Sequence, residues 1–231
     1  QVNTIGPGPV KGGIIESILQ RGFLRCGIPL RENRKVLEDV QVGISSDERI
    51  GLDIEFCRAL SASILKRVPD NISFQSFPKT SEYKNISLAL ENGDIDVYTG
   101  GEMEMSGDDQ RLGLSFSKPY FYETPKENST SGKAFMLVTK EGDTQWSDLV
   151  YWIVMATFDA EENGIMQTTS NEMPLVSLFG PDLERMLRDA ILAVGNYGEM
   201  YRRVFGQNAS RVGRNMRNGL PYDPEHYPLP F

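Results

Sequence analysis

Between residues 12 and 101, helix-spaced and strand-spaced apolar runs take turns, and this alternation restricts the possible fold more than any other feature. A helix with one apolar stripe and a strand apolar on both faces can cover each other only in layers. The pattern therefore predicts an α/β fold, a mixed, mostly parallel sheet flanked by helices. In "GGIIESILQRG" (12–22), Ile14, Ile15, Ile18 and Leu19 share one helical face and Gly22 is a stop. "FLRCGI" (23–28) reads as a strand, 30–50 as a charged surface loop, and 53–66 as a helix ended by the turn Pro69-Asp70-Asn71. "ISFQSF" (72–77) alternates like a strand. A helix follows, capped by Thr80 or Ser81 and stopped at Gly93, and then the strand "IDVYTGG" (95–101).

The second half adds extended segments at 114–123 and 133–141, then helices at 146–163, 182–194 and 198–206. The last stretch, "GLPYDPEHYPLPF", holds four prolines and reads as an extended tail draped over the body. No repeat or linker divides the chain, so one domain over 1–231 is expected. The join between "KAFMLVTK" and the helix near Trp146 is unusually short, and the question is whether something is missing there.

Chemistry is sparse. A net charge of −8 excludes a basic nucleic-acid surface. No apolar run approaches the roughly 20 residues needed to cross a bilayer. The amino end, beginning at Gln1, lacks the pattern of a signal peptide and suits a processed mature end. His226 sits in the Pro-rich tail, so no Ser-His-Asp or Cys-His arrangement is credible, and neither cysteine has a CxxC partner for zinc. Glu102, Glu104, Asp108 and Asp109 cluster in one loop but lack the ligand spacing of a calcium loop; a solvated acidic loop is the simpler reading. No metal or cofactor is expected, and no catalysis. Cys26 and Cys57 allow two readings, separate buried thiols or a disulfide closing a 31-residue interval. Four N-x-S/T sequons, at Asn71, Asn85, Asn128 and Asn208, are glycosylation candidates if the chain passes through a secretory route.

Several stretches in order resemble the periplasmic polar and general L-amino-acid-binding proteins of ABC transporters, which have the type II periplasmic-binding fold. They are "IIESILQRGFLRCGI", "GLDIEFCRALSASIL", "ALENGDIDVYTGG", "LGLSFSKPYFYE", "QWSDLVYWIVMATFDAEENGI" and "VGNYGEMYRRVFG". The resemblance implies that Cys26 and Cys57 are paired. It also implies two lobes that close on an amino acid, the second inserted after the strand matching "AFMLV" and returning just before "GDTQW". Here those places are joined directly, so the chain reads as a single lobe with carboxy-terminal helices, the second lobe being missing between about 139 and 146. In the family, the loop after the strand matching "DIDVYT" carries hydroxyl residues and an arginine that forks onto the ligand carboxylate. That arginine falls at or beside Asp108, with Arg111 as a shifted substitute. The vestigial ligand site is then Thr99, Gly100, Glu102, Glu104, Asp108 and Arg111. A carboxylate at that place repels the anionic end of an amino acid.

The leading expectation is thus a non-catalytic extracytoplasmic structural or protein-interaction subunit. It would be bacterial periplasmic or eukaryotic secreted or lumenal, meeting a partner or a second copy through the face that the second lobe would cover. The other reading is an amino-acid or cationic small-solute binding protein with altered specificity, suited by Glu102, Glu104 and Asp108.

Overall fold

The computed structural model describes residues 6, 8–30, 48–78, 83–102, 112–122, 133–209 and 211. In chain order the elements are α1 (Ile14–Arg21), β1 (Leu24–Leu30), α2 (Glu48–Ile64), β2 (Ile72–Pro78), α3 (Tyr83–Glu91) and β3 (Val97–Glu102). They continue with β4 (Leu114–Phe116), β5 (Phe121–Tyr122), β6 (Ala134–Lys140), α4 (Thr144–Glu162), α5 (Met186–Val194) and α6 (Tyr197–Phe205). Short 3-10 turns at Gln167–Glu172 and Pro181–Leu183 lie between α4 and α5.

The six-stranded sheet has the order β2-β1-β3-β6-β4, with β5 also on β6. β1 pairs in parallel with β2 and β3, while β6 is antiparallel to β3, β4 and β5. β6 is therefore the one strand that runs against the rest, and the expected mixed, mostly parallel sheet is present. Helices cover both faces. α1, α2, α4, α5 and α6 enclose the larger core, built on Phe56, Leu60, Trp146, Ile153 and Tyr197. α3 covers the other face, where Ile86 and Leu90 meet Phe77, Tyr98 and Val138. Cys26 on β1 and Cys57 on α2 are joined by a disulfide buried in the larger core.

Some expected boundaries shift. α2 starts at Glu48, inside the stretch expected to be loop. The extended segment 114–123 divides into β4 and β5 around Lys118-Pro119; Ser117 and Tyr120 still donate to Leu137 and Phe135, but Pro119 has no N–H to give. Residues 31–47 of the loop expected over 30–50, and the Pro-rich tail, lie outside the described residues.

The short join between β6 and α4 is a built turn. Asp143 caps two helices at once, accepting from Trp146 N (3.0 Å) at the start of α4 and from Ile14 N (2.7 Å) at the start of α1. Thr139 Oγ1 and Ser147 Oγ bond across it at 2.7 Å. Because β6 runs against β3, this turn sits at the end of the sheet where β1 and β3 begin.

Two outcomes follow from these locks. Asp143→Ala removes both caps and is expected to lower the unfolding free energy by about 2 kcal/mol in guanidinium titration, against about half that for Asp143→Asn, which keeps one acceptor. Cys26→Ala/Cys57→Ala is expected to cost about 3–4 kcal/mol, the loop-entropy value for the 31-residue separation. Adding reductant should then leave the double variant's denaturation curve unchanged while shifting that of the parent.

Candidate functional site

In an open α/β sheet, ligands bind outside the carboxyl ends of the strands where the winding reverses. Here β1 leads through α2 to β2 on one side and has β3 on the other, and α2 and α3 lie on opposite faces. The reversal falls between β1 and β3. β1, β2, β3 and β5 all end at that edge, and β6 begins there.

The end of β3 supplies the floor. Thr99 is fully buried and donates from Oγ1 to Gly27 O at 3.2 Å, so it anchors β3 to β1 rather than offering a hydroxyl to solvent. Gly100 has φ +71°, and a side chain there would press on Pro29 Cγ at 3.1 Å and lie 3.5 Å from Asp53 Oδ2. Its N–H donates to Tyr120 Oη at 2.8 Å, and that hydroxyl in turn donates to Asp53 Oδ1. Asp53 and Tyr120 are wholly buried. Tyr197 Oη donates at 2.7 Å to the carbonyl of Tyr120. Burial pushes the Tyr197 phenol far above its ordinary range, so it stays protonated and keeps this donor role. Three elements, α2, β3 and α6, thus meet on Tyr120.

Glu102 forms the rim. Its side chain is 22% exposed and pairs with Lys133 Nζ at 2.5 Å, and its backbone N–H and C=O both meet the Tyr83 hydroxyl. In the sequence Glu102 belongs to an acidic loop, and the fold adds a cation beside it: Lys133, 56% exposed just before β6, stands at the same edge. The rim presents both charges side by side, which lets it meet an anionic and a cationic group at once.

Of the expected site residues, Thr99, Gly100 and Glu102 come together at this edge; Glu104, Asp108 and Arg111 lie outside the described residues. Asp53, Tyr120, Lys133 and Tyr83 were not anticipated. The only hint in the sequence is the carboxylate of Asp53 inside the apolar run "GLDIEFC". Among the described residues no group of three or more His, Cys, Asp and Glu side chains could hold a metal. Among the sequons, Asn71, Asn85 and Asn208 are exposed, and Asn71 Nδ2 donates to Gly22 O at 3.2 Å. Asn128 lies outside the described residues.

The chain is 26% identical over 178 residues to the general L-amino acid-binding periplasmic protein AapJ of Rhizobium johnstonii, covering 66% of this chain and 48% of that protein. It is 32% identical over 90 residues to the glutamate/glutamine/aspartate/asparagine-binding protein BztA of Rhodobacter capsulatus, covering 32% of this chain and 26% of that one. Among solved structures it superposes on an ABC transporter/periplasmic binding protein from Brucella ovis, solved with glutathione bound. The TM-score is 0.64 at 18% identity, over 85% of this chain and 92% of the other. No family model matches. The fold is that of the periplasmic binding proteins, and in sequence the chain is a relative of the amino-acid-binding periplasmic proteins. It spans about half the length of the first of these relatives and about a quarter of the second. Among the described residues no helix is long and apolar enough to cross a membrane.

Removing the shared hydroxyl tests the floor directly. Tyr120→Phe strips one partner from the buried Asp53 carboxylate and one from Gly100 N–H, and is expected to cost about 3 kcal/mol. A loss below about 1 kcal/mol in chemical denaturation would mean that the hydroxyl does not carry this network.

Proposed function

We propose that this chain is an extracytoplasmic solute-binding polypeptide that holds a small amino-acid-like or cationic solute at the carboxyl edge of β1 and β3. The observation that carries the reading is the winding reversal at Gly100–Glu102, in a chain whose curated relatives are named as amino-acid-binding. The Glu102–Lys133 pair supports it, because a zwitterion can satisfy both members, its ammonium on Glu102 and its carboxylate on Lys133. The relatives are periplasmic proteins, and the Cys26–Cys57 bridge suits an oxidising compartment. The reading assigns no catalytic step to the chain.

The place of the absent lobe is revised within this proposal. A lobe that closes over the site must be attached at the carboxyl edge, whereas the doubly capped turn at 141–143 lies at the other end. β5 ends and β6 begins at the carboxyl edge itself, so we place the junction between these two strands rather than between 139 and 146.

A second reading, the interaction subunit, keeps one supporting observation: the chain spans only about half of its first relative. With a single lobe a solute is buried on one side only, and its affinity is correspondingly low.

Titration calorimetry of the full chain against amino acids, polyamines and glutathione separates the two. The solute reading expects at least one ligand with Kd below about 1 mM, weakened about tenfold or more in Glu102→Gln or Lys133→Met. A flat titration with every compound, together with a protein partner retained through purification, would replace it with the subunit reading.

A further inference from the structure

We propose that Tyr83, the first residue of α3, is a positioning residue of the solute site: it fixes the backbone of Glu102 and so aims that carboxylate at the ammonium group of a bound solute. The inference rests on the solute reading above and adds to it the residue that sets the geometry of the anionic member of the rim. Glu102 is poorly held by the sheet alone. Gly100 and Gly101 precede it, Gly100 in the left-handed region at φ +71°, and the β3–β6 pairing shifts register between Tyr98 and Gly101. Glycine leaves the backbone its widest choice of conformation, so these two residues do not by themselves dictate where the next side chain points. β1 gives no support at this point, since its pairing with β3 covers only Val97 and Tyr98.

The Tyr83 hydroxyl does for Glu102 what a neighbouring strand would do. It accepts from the Glu102 N–H and donates to the Glu102 C=O, the exchange that a hydrogen-bonded residue pair makes in a ladder. With both backbone groups of one residue held by one oxygen, the Cα–Cβ direction of Glu102 is set, and its carboxylate meets Lys133 Nζ at 2.5 Å. The phenol is itself held in place. Tyr83 is half-buried against the smaller core, with Leu112 and Phe116 packed on the same cluster. One helical turn further on, Ser87 Oγ donates to Leu112 O at 2.7 Å, so α3 is tied down independently of Glu102.

The two charged members of the rim differ in how they are supported. Lys133 is 56% exposed and carries its charge on a flexible four-carbon stem. Glu102 is 22% exposed and clamped through its backbone. A charge of fixed direction selects a solute by where its opposite charge stands, because binding then costs no ordering of the site. The ammonium end of the solute is therefore the end read with geometric precision, and Tyr83 is the residue that supplies the precision.

NMR titration of the full chain with the common amino acids, spermidine and glutathione is the test, with hydrogen exchange of the Glu102 amide recorded on the same samples. Tyr83→Phe keeps the ring and its packing but removes the hydroxyl. It is expected to speed Glu102 amide exchange about tenfold and to raise the Kd of the tightest-binding compound about tenfold. Ser87→Ala, which removes a tie of α3 that does not touch Glu102, should keep Kd within about twofold of the parent. In a Glu102→Ala background, adding Tyr83→Phe should raise Kd by no more than about twofold, because there is no carboxylate left to aim. The proposal is overturned by a Tyr83→Phe Kd within about twofold of the parent, by an equal loss in Ser87→Ala, or by fully additive losses in the Glu102→Ala background. Each of these would mean that the phenol supports only the packing of α3. Failure of the parent chain to bind any of the compounds defeats the solute reading itself, and this inference with it.

Discussion

β1 is packed from both sides, and the arrangement of the other elements follows from that constraint. Its Leu24, Cys26 and Ile28 side chains enter the larger core beneath α1 and α2. On the opposite face Gly27 leaves no room for a side chain, because a Cβ there would meet Ile95 Cδ1 at 2.7 Å and the rings of Phe77 and Tyr98 at 3.0 Å. Those two rings pack edge to face at 5.6 Å across the vacated space. A strand buried this way needs helices on both sides, and two layers of opposite winding create the reversal between β1 and β3. The position of the site is thus a consequence of how β1 is covered. The disulfide from Cys26 to Cys57 ties β1 to the helix that opens this edge.

The carboxy-terminal helices belong to the same core and extend their hold to the site. Arg203 on α6 forks onto Glu55 of α2, with its closer contact at 2.9 Å. Arg211 forks onto Glu161 of α4 while lying 5.2 Å from the ring centres of both Tyr197 and Tyr201. Partly buried forked pairs of this kind are held more firmly than exposed single contacts. They fix α6 against α2 and α4, and α6 in turn presents the Tyr197 hydroxyl to the Tyr120 carbonyl. The contacts that support Tyr120 and Gly100 all come from within this one core.

Much of the architecture was legible beforehand. Helix spacing in 12–22 and strand alternation in 72–77 located α1 and β2, and Gly22 stops its helix in the left-handed conformation expected of it. The extra turns at the start of α2 were missed because the polar residues before Leu52 carry no helical period. The site was far less readable. An acidic loop was visible, but the cation beside Glu102 was not, since Lys133 stands 31 positions away and reaches it only through the antiparallel pairing of β3 with β6. The short join before Trp146 raised the question of a missing segment, and in the fold it is a doubly capped turn at the end of the sheet where β1 and β3 begin.

The order of residues alone determined the layers, because a helix or strand is specified by apolar spacing among near neighbours. Only the tertiary structure decided what converges at the carboxyl edge. Asp53, Gly100 and Tyr197 come from α2, β3 and α6 and Tyr120 from the segment between β4 and β5, and the hydrogen bonds joining them exist only once strand order and helix packing have brought these parts together.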